Sequence, residues 1–308
     1  MQHCDEIDAM DHARHHTGRD LRHGPARPAR TAGFTRPPAP PAPARLPLPL
    51  LAAEDRLDPA GRTAGARQAR KQGTPLAALR ERERDLIGGF SEPGKMPWLS
   101  YSIPAEHCRV GSRLRDVPGS VCQGCYACKG NYIWPNVRDA MERRFRTLAD
   151  LPAWADAMAR LLADRAARFR PTPADPWPAF RWHDSGDLQS AAHLEAICTV
   201  AERTRGVRLA DGTAADIRYW LPTREYGVVA EVRDRRGGFP LNLCVRLSAP
   251  MTDGPVPAGL GLPVSSAHSR PSAYPDALDC PAFARGGGCG DCRACWDPAT
   301  NHVSYRAH

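Results

Sequence analysis

The sequence predicts an α/β fold: a partial parallel βα barrel with a cysteine-rich C-terminal metal-binding segment and a disordered N-terminal extension. Three observations carry this expectation. Runs with strand alternation are each followed by runs with helical spacing, the pattern of βα units on a parallel sheet. Two cysteine groups of the same internal form bracket that region: Cys122-Gln-Gly-Cys125-Tyr-Ala-Cys128 and Cys289-Gly-Asp-Cys292-Arg-Ala-Cys295, with Cys108 and Cys280 upstream. Residues 1–72 are rich in Arg, Ala, Pro, His and Gly and have neither period. Pro37-Pro-Ala-Pro-Pro-Ala-Pro43 within them favours extended polyproline structure, and such a segment cannot bury enough apolar surface to offset its ordering entropy. Three parts follow: an extension over 1–72, a βα-repeat domain over 73–270 and a cysteine-rich cap over 271–308.

Pattern begins at Thr74, the expected N-cap of a helix over 75–87 that has Pro75 at its first position. Trp98 to Ile103 alternates like a strand and stops at Pro104, and the first cysteine group comes next. A helical stretch from Asn136 to Phe169 is interrupted by Pro152; its second half sets Trp154, Met158, Leu161 and Leu162 on one face. Phe180 to His183 is a strand that runs into Asp184-Ser-Gly-Asp187, followed by an amphipathic helix over 188–204. Ile217 to Leu221 is a strand that runs into Pro222-Thr-Arg224, followed by a short helix from Tyr226 to Arg233. Leu241 to Leu247 is an apolar strand running into Ser248, and Pro263 to Ser266 is a short one leading to His268. The second cysteine group closes the fold in an irregular, Gly-rich tail.

Composition narrows the function classes. No stretch approaches the roughly 18 uninterrupted apolar residues that span a bilayer. The net charge of +8 permits contact with nucleic acid, but arginines alternate with acids, as in Arg80-Glu-Arg-Glu-Arg-Asp85, which reads first as a solvated face. The 11 cysteines are an odd number and argue against a fully paired disulfide framework. No export signal is evident, so a reducing, cytoplasmic setting with metal-bound thiolates is expected. The pattern says nothing of oligomeric state.

In a βα-repeat fold the polar residues at the C-terminal ends of strands line the active face. Here those ends carry Asp184, Ser185, Gly186 and Asp187, then Thr223 and Arg224, then Arg246 and Ser248, then Ser265 and His268. Arg224 and Arg246 suit a carboxylate or phosphate of a substrate or cofactor, or a salt bridge to Asp184 or Asp187. The two aspartates also suit helix N-capping. Trp182, Trp220, Cys198 and Cys244 read as core, whereas Tyr126 and Trp296 adjoin the cysteines and would shield a metal from water.

Cys108, Cys122, Cys125 and Cys128 form one expected ligand set, and Cys280, Cys289, Cys292 and Cys295 the other. The CxxCxxC run with a separate Cys-Pro, here Cys280-Pro281, is the ligand pattern of cubane iron–sulfur clusters. Zinc is the alternative, although its sites more often use two separated CxxC pairs or mixed Cys/His ligands.

Cys125-Tyr-Ala, Arg181-Trp-His-Asp-Ser-Gly-Asp187, Thr223-Arg224 and Cys289-Gly-Asp-Cys-Arg-Ala-Cys-Trp296 together resemble the phage-type gene product 88 domain family, from about Trp98 to His308. That resemblance implies a domain boundary and a phage or mobile-element context, not a reaction. The order of parts is also similar to radical S-adenosylmethionine enzymes, which bind a cluster after the first strand and the methionine amino group after the second. The departure is the spacing: CxxCxxC stands where that family has CxxxCxxC, and Cys108 as a fourth ligand would close the iron. The expected activity is a radical or redox enzyme acting on a small molecule, with S-adenosylmethionine as a possible cofactor. The other expectation is a zinc-stabilised nucleic-acid-binding or replication accessory protein.

Overall fold

Pro75 opens the first helix, α1 (Pro75–Ile87), which buries Leu79, Glu83 and Ile87 at four-residue spacing along one face. The computed structural model describes residues 75–270 and 273–307; the disorder expected over 1–72 and the Thr74 cap lie outside the described residues. A short strand β1 (Ser100–Tyr101) leads through a single turn into α2 (Arg109–Leu114). The expected helical stretch is two helices, α3 (Pro135–Thr147) and α4 (Leu151–Ala166). The break falls at Asp150, whose side chain accepts the Ala153 N–H at 3.1 Å, with Pro152 in the first turn of α4.

Strand β2 (Ala179–Trp182) is followed by α5 (Ala191–Arg203), and a hairpin of β3 (Val207–Arg208) and β4 (Ala214–Ala215) precedes β5 (Arg218–Thr223). Helix α6 (Tyr226–Arg236) ends at Gly237, whose positive φ of 75° lets its N–H turn back to the Arg233 carbonyl at 2.8 Å. Then come β6 (Leu243–Thr252), β7 (Val264–His268), β8 (Leu278–Asp279) and β9 (His302–Arg306).

Seven strands form one sheet in the order β1-β2-β5-β6-β7-β9-β8, and every pairing within it is parallel. The fold is therefore mixed α/β. Two expectations are corrected. Strand β6 runs on to Thr252, so Ser248 lies within it rather than at its end. The tail is not irregular throughout: it supplies β8 and β9, and β9 sits inside the sheet between β7 and β8.

Strand alternation divides the sheet into two faces. Tyr101, Phe180, Trp182, Tyr219, Leu221, Val245 and Leu247 share a buried core with Trp154, Met158, Leu161 and Leu162 of α4 and Leu194 and Ile197 of α5. Each such side chain contributes on the order of 1.5–3 kcal/mol by leaving water. Trp182 and Cys198 belong to this core, as expected. Ala179, Trp220 and Val303 belong to a second cluster with Cys295 and Trp296, against which Trp177, Cys280, Cys289 and Tyr305 pack. Helices thus cover one face, and the cysteine-rich segment covers part of the other.

Candidate functional site

The chain leaves β2 through a tight turn. His183 has φ 51° and Gly186 φ 81°, both in the left-handed region. Gly186 is required there: a Cβ would stand 2.2 Å from Ile103 Cγ1. The turn is locked to the chain after β1, since the His183 N–H donates to the Tyr101 carbonyl at 2.8 Å and the Ile103 N–H to the Ser185 carbonyl at 3.2 Å. The turn presents Asp187, a buried carboxylate that ties strand ends together. Its Oδ1 accepts the Thr223 hydroxyl at 2.6 Å and the Leu188 N–H at 2.7 Å, and its Oδ2 accepts the Arg224 N–H at 2.9 Å. Burial pushes its pKa up to about 6 against the opposing pull of those bonds. Neither aspartate caps the next helix: α5 starts at Ala191, and Ser190 is its cap.

The first cysteine loop lies at this end of the sheet. Its backbone is stitched to the end of β6, with Val121 N–H to the Pro250 carbonyl at 2.9 Å and Thr252 N–H to the Gly119 carbonyl at 3.0 Å. Tyr132 donates to Asp184 Oδ2 at 2.8 Å, and Tyr126 donates to the Asp184 carbonyl. Glu225 Oε1 accepts the Val110 N–H at 2.8 Å and holds the start of α2. Gly111, in that helix, leaves room for sulfur: a Cβ there would lie 3.1 Å from Cys108 Cβ and 3.6 Å from the sulfurs of both Cys108 and Cys122.

Burial raises the Cys108 thiol to about 12, and the charges of Asp187, Cys125 and Cys122 push the same way. Cys122 is raised by burial too, with Arg224 opposing. Cys128 is raised by burial and by Cys125. Cys108 and Cys122 thus lie near one another and feel the charges of Asp187, Cys125 and Arg115, whereas Cys128 is linked to Cys125 and Arg115. Arg224 keeps its place by donating Nε to the Ala249 carbonyl at 3.1 Å, and its terminal nitrogens have no partner among the described residues.

The second quartet lies on the opposite sheet face from the helices. Cys295 Sγ is 3.2 Å from the Tyr305 hydroxyl, and burial raises its thiol to about 12. Cys280 and Cys289 are raised by burial and by neighbouring thiols of the set. Trp296 is buried, donating Nε1 to the Phe180 carbonyl at 2.7 Å and meeting the Trp220 ring edge-on at 5.3 Å. Tyr126, by contrast, is 44% exposed and shields little.

Arg246 belongs to this face and not to a substrate pocket. Fully buried, it donates to the carbonyls of Val264 and Thr300 at 3.0 Å and of Ala294 and Asp297 at 3.1 Å. Its donors hold the cysteine-rich loop in place, and it forms no salt bridge to Asp184 or Asp187. Cys244, beside it at 3.7 Å, is a buried neighbour.

Ser248 accepts the Ser265 hydroxyl at 3.2 Å inside the sheet. His268 is buried, with Nδ1 2.7 Å from the Ser304 hydroxyl and Nε2 3.5 Å from Asp279. Neither contacts the Asp187 group. Arg181 opens the motif that runs to Asp187, but a strand-interior arginine has no sequence signature of a role of its own. It lies over the Trp220 ring at 4.4 Å, and its charge acts on Tyr126 and Asp184 on one side and on Cys289 and Tyr305 on the other. Among the described residues, no three His, Cys, Asp or Glu side chains form a ready ligand group for a metal ion.

A family model described as Gene product 88 matches residues 65–298, a span that holds both quartets and the Asp187 turn. No curated protein and no solved structure matches the chain. Nothing in these comparisons supports the looser resemblance to radical S-adenosylmethionine enzymes.

Proposed function

The chain belongs to the gene product 88 family, and on that premise we propose that it is a thiolate-metal protein whose first quartet is the reactive centre of a redox enzyme. One observation carries the reading. The sulfurs of Cys108 and Cys122, 14 positions apart in the chain, both face Gly111 in a loop that also carries Cys125 and Cys128, close to a buried carboxylate and an arginine with unused donors at the C-terminal ends of parallel strands. The donor set suits iron–sulfur chemistry, since neither quartet includes a histidine and soft thiolates favour such clusters. The space kept by Gly111 beside two of the sulfurs suits it as well.

Cys108, Cys122, Cys125 and Cys128 would hold the first group, and Cys280, Cys289, Cys292 and Cys295 the second. A bound cluster supplies single electrons. The protein's own part is binding and proton handling. The terminal nitrogens of Arg224 are free to hold a carboxylate or phosphate of a small reactant. Asp187, with a pKa near 6, can exchange a proton close to neutral pH, while Thr223 and the Leu188 and Arg224 amides fix its orientation. S-adenosylmethionine as co-reactant is the narrower version of this reading, tested by reductant-dependent formation of 5′-deoxyadenosine.

A second reading, a zinc-stabilised nucleic-acid-binding protein, is favoured by the exposure of Tyr126, Ile133 and Trp134 beside the exposed Lys129. Bases could stack on such a ledge. Anaerobic purification followed by counting iron, sulfide and zinc per chain separates the two. Iron with sulfide, of which Cys122→Ser loses about half and leaves the second group's share, is the expected result. Zinc alone, with salt-sensitive oligonucleotide binding, moves the assignment to the second reading. A chain free of both metals ends both.

A further inference from the structure

We propose that a groove between α1, α3 and α4, lined by none of the cysteines, is a binding site for a phosphate-bearing ligand. Its volume is about 600 Å³, within the range of small-ligand pockets. Five arginines and three acids line it, an excess of two positive charges.

The acids are largely accounted for. Arg165 grips Glu83 with both oxygens in play, at 2.6 and 2.9 Å, and reaches Glu92 at 3.1 Å. Arg80 donates to both oxygens of Glu92 at 3.0 and 3.1 Å. These pairs form the wall of the groove and leave the other arginines unmatched.

Arg84 and Arg143 have no hydrogen bond or ion pair among the described residues, and the Nε of Arg143 is buried without a partner. Arg144 donates Nε to the Gly89 carbonyl at 2.7 Å and Nη1 to the Ser102 carbonyl at 3.5 Å and lies over the Tyr101 ring at 5.7 Å, which leaves Nη2 unbonded among the described residues. The Arg144 backbone can sit here only because Gly88 has no side chain: a Cβ would come within 2.5 Å of the Arg144 nitrogen. The groove also takes in Asn136, in the first turn of α3, and that helix has no side-chain cap.

A buried donor without an acceptor, such as the Arg143 Nε, is destabilising, and an anion with several oxygens would satisfy it. Phosphate fits better than a carboxylate. It matches the double charge excess and offers oxygens to more than one guanidinium at once. Asp139 is the one lining acid without an ion pair among the described residues, and the excess of two already counts it.

The test is calorimetric titration of the full chain with inorganic pyrophosphate and, separately, with a short single-stranded oligodeoxynucleotide. Saturable binding is expected, weakened about tenfold or more in Arg143→Gln and in Arg84→Gln but unchanged in Arg235→Gln on α6. Arg84 is exposed, so its variant keeps the test open should Arg143→Gln fail to fold. Pyrophosphate binding alone, with that sensitivity, assigns the groove to a small phosphorylated ligand. Tighter oligonucleotide binding with the same sensitivity assigns it to a nucleic-acid backbone. No saturable binding of either probe, or binding that both substitutions leave intact, overturns the proposal.

Discussion

Asp187 and His193 are both buried near the C-terminal ends of the strands, and their protonation pulls stability in opposite directions. Burial lowers His193 to about 4, so the unfolded chain takes up a proton between roughly pH 6.5 and 4 while the folded chain does not. His183, also buried and depressed, acts in the same sense. Stability from these histidines is complete above pH 6.5 and is lost as pH falls. Asp187 is raised to about 6, so the unfolded chain has released its proton from about pH 3.8 upward while the folded chain keeps it until about 6. Its contribution is present at low pH and lost as pH rises through that window. The two trends partly cancel between pH 4 and 6. Asp187→Asn removes one of them and should make the loss of stability on acidification steeper by about 2 kcal/mol across that window. Urea denaturation of both chains at pH 4.5 and 7 measures it; equal pH-dependence in the two would show that Asp187 does not titrate there.

Between elements, the reach of single side chains decides what the sequence reveals. Arg246 joins β6 to β7 and to the loop before β9 through four carbonyl oxygens. Its replacement by Met would fill much of the volume but leave those carbonyls short of donors, at a cost of at least about 3 kcal/mol. Hydrogen exchange should then quicken at β9 more than at β5; uniform change across the sheet would deny Arg246 this local role. The strand alternation of Phe180 to Trp182 and the strongly apolar β6 were legible because each is buried by its own pattern. The β9 strand was not: only Val303 and Tyr305 alternate there, and pairing with β7 makes the strand, not local preference. The cysteine spacing and the strand-end position of Asp187 were likewise legible. The destination of Arg246 was not, since a strand-end arginine has the same appearance whether it meets a substrate or a carbonyl. Nor was the arginine groove, whose walls come from α1, α3 and α4; the run from Arg80 to Asp85 reads by itself as a solvated face.

At the scale of the whole molecule, the two sheet faces rest on different kinds of support. The helix side is an apolar core of large side chains, among them Trp154, Trp182, Tyr219 and Leu247, and contains none of the eight candidate ligands. The other side is covered by a segment with few apolar anchors, chiefly Trp296 and Cys295. A bound metal group would stabilise that segment and the loop over residues 118–134 by binding the ordered form alone. Removing it should therefore cause a sub-global opening rather than unfolding, because the helix-side core does not depend on the ligands. The expected result, on treating metal-loaded protein with a chelator under reducing conditions, is faster amide exchange in residues 118–134 and 280–296. The amides of β5 and α5 should remain protected at their earlier rates. The comparison must be made at one pH, since acid alone loosens the strand ends through His183 and His193. Equal acceleration in β5 and α5 would mean that the apolar face cannot stand without the thiolate-bound one, and the division of support between the faces would be wrong.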